Sequence, residues 1–328
     1  MFKRLPNFAV TNQFGLFLLV IFFVLFFSFF TDGFSSRFNL FALSRVVAID
    51  IMIGLAMMVV ILTGGLNLSL GALGVSAAMF GGWLMETVGI PIIPAMLLTL
   101  AMGGFLGWIN GYVTVKTGVH SFIVTLATMS IYFGMMTLFT EAEAFRKLPE
   151  TFTDFGSLKI FNKYVSPLLL VSIFFVFLLF YFFKFTDLGR KLIAAGANPD
   201  AAELSGISVG QMFIYCHILS GLLAAVAALM LTSRIGAAIP SMAGNLGFDW
   251  LLPAFLAPVL GGTLLSGGKV TVFGTMLGAI LVTLITNGLY LIEIGEFWIR
   301  FFLGIILLLA VLLDKAREFF AQKSNVLS

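Results

Sequence analysis

Apolar residues run along this chain in long blocks, and polar residues gather in the short gaps between them. The blocks predict membrane spans at about 14–30, 46–63, 68–88, 92–115, 121–139, 166–183, 212–232, 250–265, 271–290 and 297–313. A helix of about 20 apolar residues matches the hydrocarbon thickness of a bilayer. A membrane barrel would instead show shorter strands alternating apolar and polar residues, a pattern absent here. The predicted fold is all-α: a polytopic membrane protein of about ten transmembrane helices, forming one transmembrane domain over 1–328.

One gap departs from the others. Between Phe185 and Gln211 the chain reads TDLGRKLIAAGANPDAAELSGISVGQ. Asn198 suits a helix N-cap, Pro199 the first helical position and Gly206 the stop. The helix between them has about two turns, too few to be stable alone in water, and presents Ala201 and Ala202. A short capped helix in a water-facing loop is explained if something packs on it, as where a passive conduit is joined to a motor.

Composition agrees with the blocks. Of the 328 residues 60% are apolar and 10% charged, with mean hydropathy +1.12. A soluble domain carries about 25% charged residues, so this chain lacks the polar surface to cover itself in water. The 38 phenylalanines read as lipid-facing bulk, and a net charge of +3 points to no nucleic acid. A single cysteine, Cys216, excludes an intrachain disulfide and a thiolate metal cluster. The first block follows Lys3 and Arg4, but Thr31-Asp32-Gly33-Phe34 offers no small-residue cleavage site, so it is expected to stay as a span. With the N-terminus inside, ten basic residues fall inside and eight outside. Four of the eight are diluted among Glu141, Glu143, Glu150 and Asp154 in one long outer loop, while the inner loops are short and basic, which favours this orientation. Trp83, Trp250 and Trp298 then fall near the outer interface as an aromatic belt.

Small residues recur every fourth position at Gly103, Gly107 and Gly111, at Gly74, Ala78 and Gly82, and at Gly274 and Gly278. In lipid such stripes let helix backbones approach closely. GGLNLSLG at 64–71 resembles GGTLLSGG at 261–268, and Asn110-Gly111 resembles Asn287-Gly288, suggesting an internal duplication.

No catalytic constellation is present. His120 and His217 have no acid or thiol at ligand spacing, and TLLSGGKV (263–270) fails the phosphate-loop pattern at Thr263 and Val270. Polar residues within the apolar blocks are better clues, because hydrocarbon makes them costly. Gly64-Gly65 should break a helix beside Asn67 and Ser69, either as a solute site at a discontinuous helix or as a plain turn. Asn110 bonds across helices or lines a pathway. Ser121, Thr125 and Thr128 form a polar strip or bond back to their own helix. Trp108 and Asn287 complete the pathway candidates, and Pro253 and Pro258 should kink the eighth span. Asp50, near the predicted outer end of the second span, is the nearest approach to a buried carboxylate. Such scarcity of acidic groups favours an external energy source over ion coupling.

GGLNLSLGA, GWINGYVTVKTGVHSFIVTLATM, LGRKLIAAGANPDAAELSGIS and VLGGTLLSGG occur in this order, and the chain from about 45 to 313 resembles the permease subunit of ribose-type ABC sugar importers. That group sits with the branched-chain amino acid permeases in one superfamily. The resemblance implies a non-catalytic subunit of a bacterial inner-membrane importer, multi-pass with both termini cytoplasmic. It would pair with a second permease subunit, with ATPase subunits that are often one tandem polypeptide, and with a periplasmic solute-binding protein. ATP and Mg2+ would reside in the ATPase, and no cofactor in this chain. The loop at 185–211, through Gly189, Gly196, Asn198, Ala201, Ala202 and Gly206, would dock the ATPase. Alternating access would then carry a sugar or sugar-like solute. One departure stands out: the family often reads GGIDLS where this chain has Asn67, an amide without negative charge. Nucleosides or branched-chain amino acids remain alternative cargoes, and a secondary transporter or channel without an ATPase is the competing mechanism.

Overall fold

A computed structural model describes residues 12–326, with side chains for 13–309, 311 and 312. Lys3 and Arg4, and the side chains of Lys315, Arg317 and Lys323, on which the expected orientation partly rests, lie outside the described residues. The elements are α1 (Asn12–Phe30), α2 (Arg37–Ile61), α3 (Leu70–Glu86), α4 (Ile92–Thr117), α5 (Ser121–Thr140), α6 (Glu150–Ser157) and α7 (Pro167–Phe185). They continue with α8 (Asp187–Ala197), α9 (Pro199–Leu204), α10 (Val209–Ile235), a 3-10 turn at Asn245–Trp250, α11 (Leu251–Leu260), α12 (Val272–Leu291) and α13 (Glu296–Val326). The protein is an all-α polytopic membrane protein. Among the described residues seven helices have the length and hydropathy of a span, and Leu70–Glu86 and Asn245–Leu260 are shorter apolar helices.

Local chemistry sets the ends. Ser36 caps α2, accepting from the Asn39 amide at 3.2 Å, and Ser166 caps α7 ahead of Pro167. Gly118 and Gly236 end α4 and α10 in the left-handed conformation.

The centre is α2 against α10. From Ile51 to Leu62 every residue of this stretch is buried. A side chain on Gly65, just past α2, would begin 3.0 Å from the Phe213 ring near the start of α10. Arg45 near the start of α2 and Ser233 near the end of α10 both meet Gly156 of α6. The two central helices are therefore antiparallel, and the bundle has an α6 end and an α9 end.

Around this pair the packing repeats. α4 packs on α10 as α12 packs on α2; α3 meets α10 as α11 meets α2; α3 touches α4 and α5 as α11 touches α12 and α13. The halves α2–α5 and α10–α13 are thus related by an inverted pseudo-twofold, since their lead helices run oppositely. Each lead helix is followed by a break and a short helix. The two breaks meet where Gly71, at the start of α3, abuts Gly247 of the 3-10 turn.

Several expectations change. Asn110-Gly111 and Asn287-Gly288 lie on the equivalent helices α4 and α12, but the two glycine segments do not correspond. GGLNLSLG links α2 to α3, whereas GGTLLSGG links α11 to α12. Their likeness has another expression: they touch, a side chain on Gly267 beginning 3.0 Å from the Gly64 amide nitrogen. The second span starts at Arg37 rather than at 46, because its polar first turns sit at the bundle's end. Asp50 therefore lies about 20 Å into the helix, accepting from the Thr283 hydroxyl at 2.7 Å. Trp250 does not join a belt; it is buried with its ring 2.8 Å from where a side chain on Gly74 would begin. Pro253 and Pro258 both lie within α11, which follows the non-helical Leu246 and Gly247 of the 3-10 turn.

Candidate functional site

The break after α2 places non-helical backbone inside the bundle, where unpaired amides and carbonyls are costly. Helix α5 supplies the partners. The Leu66 amide donates to Ser121 Oγ at 2.9 Å and the Leu68 amide to Thr125 Oγ1 at 3.1 Å. The Thr125 hydroxyl is placed to donate to Leu66 O at 3.2 Å and, back along its own helix, to Ser121 O at 2.7 Å. The hydroxyl strip of α5 therefore clamps the break rather than facing open space. Thr128 stands one turn on, donating to Thr125 O at 3.3 Å.

The side chains of the break continue into one chain of hydrogen bonds. Asn67 Nδ2 donates to Ser220 Oγ (3.1 Å), and Ser69 Oγ donates to Asn67 Oδ1 (2.8 Å). Asn110 Nδ2 donates to Ser69 Oγ (2.8 Å), and the Tyr132 hydroxyl is shared between Asn110 Oδ1 (2.9 Å) and Leu106 O (2.8 Å). Asn67, Ser69, Asn110 and Ser220 are all fully buried. The network joins the break to α4, α5 and α10. An aspartate at 67 would accept only, so the Ser220 hydroxyl would have to donate in turn. An amide can donate to Ser220 and accept from Ser69 at once.

Two sequence candidates stand apart. Trp108 is 40% exposed on the outside of α4, stacked on Phe105 and Tyr112 at 5.9 and 5.2 Å. Asn287 lies near the α6 end in a reciprocal amide pair with Asn39, at 2.9 and 3.0 Å. Sequence reasoning did not single out Ser220, Tyr132 or Asn39; Ser220 and Tyr132 are polar groups within apolar runs, which was the available signal, whereas Asn39 follows the polar stretch Ser35-Ser36-Arg37 and gave none.

At the other end, α9 forms as expected. Asn198 accepts from the Ala201 amide at 3.0 Å, Pro199 opens the helix, and Gly206 follows it with φ +79°. A helix the sequence reading missed, α8, precedes it, capped by Thr186 on the Gly189 amide at 3.0 Å and carrying an exposed Asp187–Lys191 pair at 2.7 Å. That ion pair holds the Asp187 carboxyl below its ordinary range. The six candidates divide by surroundings. Gly189 packs on the Phe182 carbonyl and Gly196 on Leu62 O and the Gly268 amide, so both are contacts within the chain. Ala202 is also buried, whereas Ala201, Asn198 and Gly206 are exposed. Beside them Leu204, which the sequence reading passed over, is 92% exposed.

No cluster of three metal-ligating side chains occurs among the described residues. His120 accepts from the Phe122 amide through Nδ1 at the start of α5, and His217 is buried beneath the Phe213 ring.

Comparison with known proteins agrees with this architecture. The family described as "Branched-chain amino acid transport system / permease component" matches residues 39–311. The ribose import permease protein of Bacillus subtilis (strain 168) is 35% identical over 321 residues, covering 96% of this chain and 97% of that protein. The galactose/methyl galactoside import permease protein of Escherichia coli (strain K12) is 31% identical over 87% of this chain and 88% of its own. The D-allose transport system permease protein of the same organism is 30% identical over 95% of each. No solved structure matches the chain significantly. With a match that spans both pseudo-symmetric halves and relatives aligned almost end to end, the chain belongs to the branched-chain amino acid transport system / permease component family, among its ribose-type ABC permeases.

Proposed function

We propose that this chain is the membrane-pathway subunit of an ATP-driven importer for an aldose or a similar polyhydroxylated solute. It works with a second permease subunit, with ATPase subunits that hold the ATP and Mg2+, and with a periplasmic solute-binding protein. In this reading it resides in a bacterial inner membrane with the α9 end and both termini in the cytoplasm. The named relatives act on ribose, galactose or methyl galactoside, and allose, which supports a sugar cargo.

The observation that carries the proposal is the construction of α8 and α9. An exposed, capped helix offers Ala201 and Leu204 at one end of the bundle. Its root, α8, is wedged through Gly196 against Leu62, at the end of α2 just before the glycine segment at 64–71, and against Gly268 of the segment at 261–268. Burying Leu204 against a partner would contribute about 1.5–3 kcal/mol. A push on α9 would reach both glycine segments directly, with no flexible linker between. The ATPase cycle would thereby move the backbone that Ser121 and Thr125 clamp, opening one face of the bundle and then the other. Asn198 and Gly206 shape α9, Gly189 and Gly196 seat it, and Ala201 and Leu204 form the contact. Asn67, Ser69, Asn110, Thr125 and Thr128 set the resting position of the break. Trp108 lies on the outer face of α4 and Asn287 at the α6 end, so neither belongs to this clamp.

Ala201→Arg and Leu204→Arg are expected to leave membrane insertion intact while lowering ATPase co-purification about tenfold or more, with loss of uptake. Co-purification and uptake at wild-type levels in both variants would remove the coupling assignment. Ala202→Arg, at a buried site, should instead lower the amount of inserted protein. The cargo class is tested by screening the cognate binding protein against pentoses, hexoses, nucleosides and branched-chain amino acids. Binding of the last two alone would overturn the sugar reading and keep the architecture.

A further inference from the structure

At the α6 end, the first turns of α2 and the 158–165 segment enclose a cavity of about 220 Å³. Four cations line it, Arg37, Arg45, Lys159 and Lys163, together with Phe38 and Phe41, and no carboxylate does. None of the four forms an ion pair among the described residues. What holds them is neutral. Arg37 donates to the Tyr164 hydroxyl at 3.4 Å and Arg45 to Gly156 O at 3.3 Å. The Phe41 ring lies within cation–π reach of both Arg45, at 4.9 Å, and Lys159, at 5.3 Å. Arg45 Nε is buried with no partner at all.

Four like charges around one cavity repel each other unless an anion sits among them. Under the orientation proposed above this is also the non-cytoplasmic face, where topology favours basic residues least. Their gathering there therefore calls for a ligand. The cavity opens at the start of a membrane helix, beside a Phe38 side chain that is 83% exposed. That combination of a cationic pocket and an adjoining apolar shelf suits a phosphate carried on acyl chains.

We propose that this pocket binds the phosphate of an anionic phospholipid headgroup, with an acyl chain against Phe38. Lys159 and Lys163 are exposed side chains outside the packed core, so they can be changed without emptying it. The full-length permease would be reconstituted in phosphatidylcholine nanodiscs doped with phosphatidylglycerol, and the lipid retained after extraction read by native mass spectrometry. One phosphatidylglycerol per chain should be retained in preference to phosphatidylcholine. The double variant Lys159→Gln/Lys163→Gln should reduce that retention about tenfold or more, whereas Lys147→Gln, outside the pocket, should not. Equal retention by the double variant and wild type would overturn the proposal. Binding of inorganic phosphate in pure phosphatidylcholine discs, without selective lipid retention, would assign the pocket to a free anion and overturn the lipid source. Unchanged lipid retention with weaker capture of the cognate binding protein would assign it to an acidic protein surface, overturning it as well.

Discussion

Asn67 illustrates how a single side chain changes meaning once its neighbours are known. In the sequence it is a polar residue beside a glycine pair, equally a solute contact or a turn residue. In the folded chain its amide donates to Ser220 and accepts from Ser69, and no part of it is exposed. Removing it would take from Ser220 Oγ its donor and from the Ser69 hydroxyl its acceptor, leaving Ser69 its bond from Asn110, at about 1–3 kcal/mol for each group left unsatisfied and somewhat less if these find other partners. Asn67→Ala is therefore expected to lower expression and uptake in proportion, measured as uptake per inserted molecule. Uptake falling several-fold further than expression would show that Asn67 meets the solute. Asp50 changes meaning too: a carboxylate expected near the membrane surface lies midway along α2, bonded to Thr283 of the opposite half.

Among the elements, α4 and α10 bring their backbones close together. Gly103, Gly107 and Gly111 face α10, and side chains on them would run into the backbone of Gly221, His217 and Ile214. This stripe was legible, because close helix approach in lipid requires small residues at that spacing. Gly107→Leu is expected to prevent stable insertion, read as loss of detergent-resistant monodisperse protein, whereas the same change at Gly134, with open space around it, should be tolerated. Equal yields of the two variants would mean that α4 does not depend on this contact. Helix α8 was less legible, although Thr186, Asp187 and the apolar Leu192 and Ile193 form an ordinary capped amphipathic start. Its polarity, read against such hydrophobic surroundings, looked like loop.

For the molecule as a whole, the question is where the energy for transport enters. Asp50 is the one acidic group found well inside the central helices, and Thr283 already occupies one of its oxygens. A single hydrogen-bonded carboxylate is thin provision for ion coupling. The exposed α9 and its wedged root supply the alternative entry point. The purified chain, reconstituted without ATPase and given a proton or sodium gradient, is therefore expected to show no accumulation of ribose, galactose or allose. Uphill accumulation under those conditions would overturn the importer reading, and its loss in Asp50→Asn would locate the coupling group.

Spans, glycine stripes and the capped α9 were readable because each follows from local chemistry: hydrophobic length, small-residue period and cap residues act within a few turns of chain. Pairing between distant segments was not, because a polar residue in an apolar run says that a partner exists without saying which. Thus Asn110 was recognised, yet its bonds to Ser69 and Tyr132 depend on how α3, α4 and α5 come together. The Asn-Gly pairs now on α4 and α12 hinted at a duplication, but its inversion escaped, since that lies in matching helix contacts and opposite helix direction. The likeness of GGLNLSLG to GGTLLSGG belongs to a different level: close backbone approach favours glycine on both partners, and these segments approach each other.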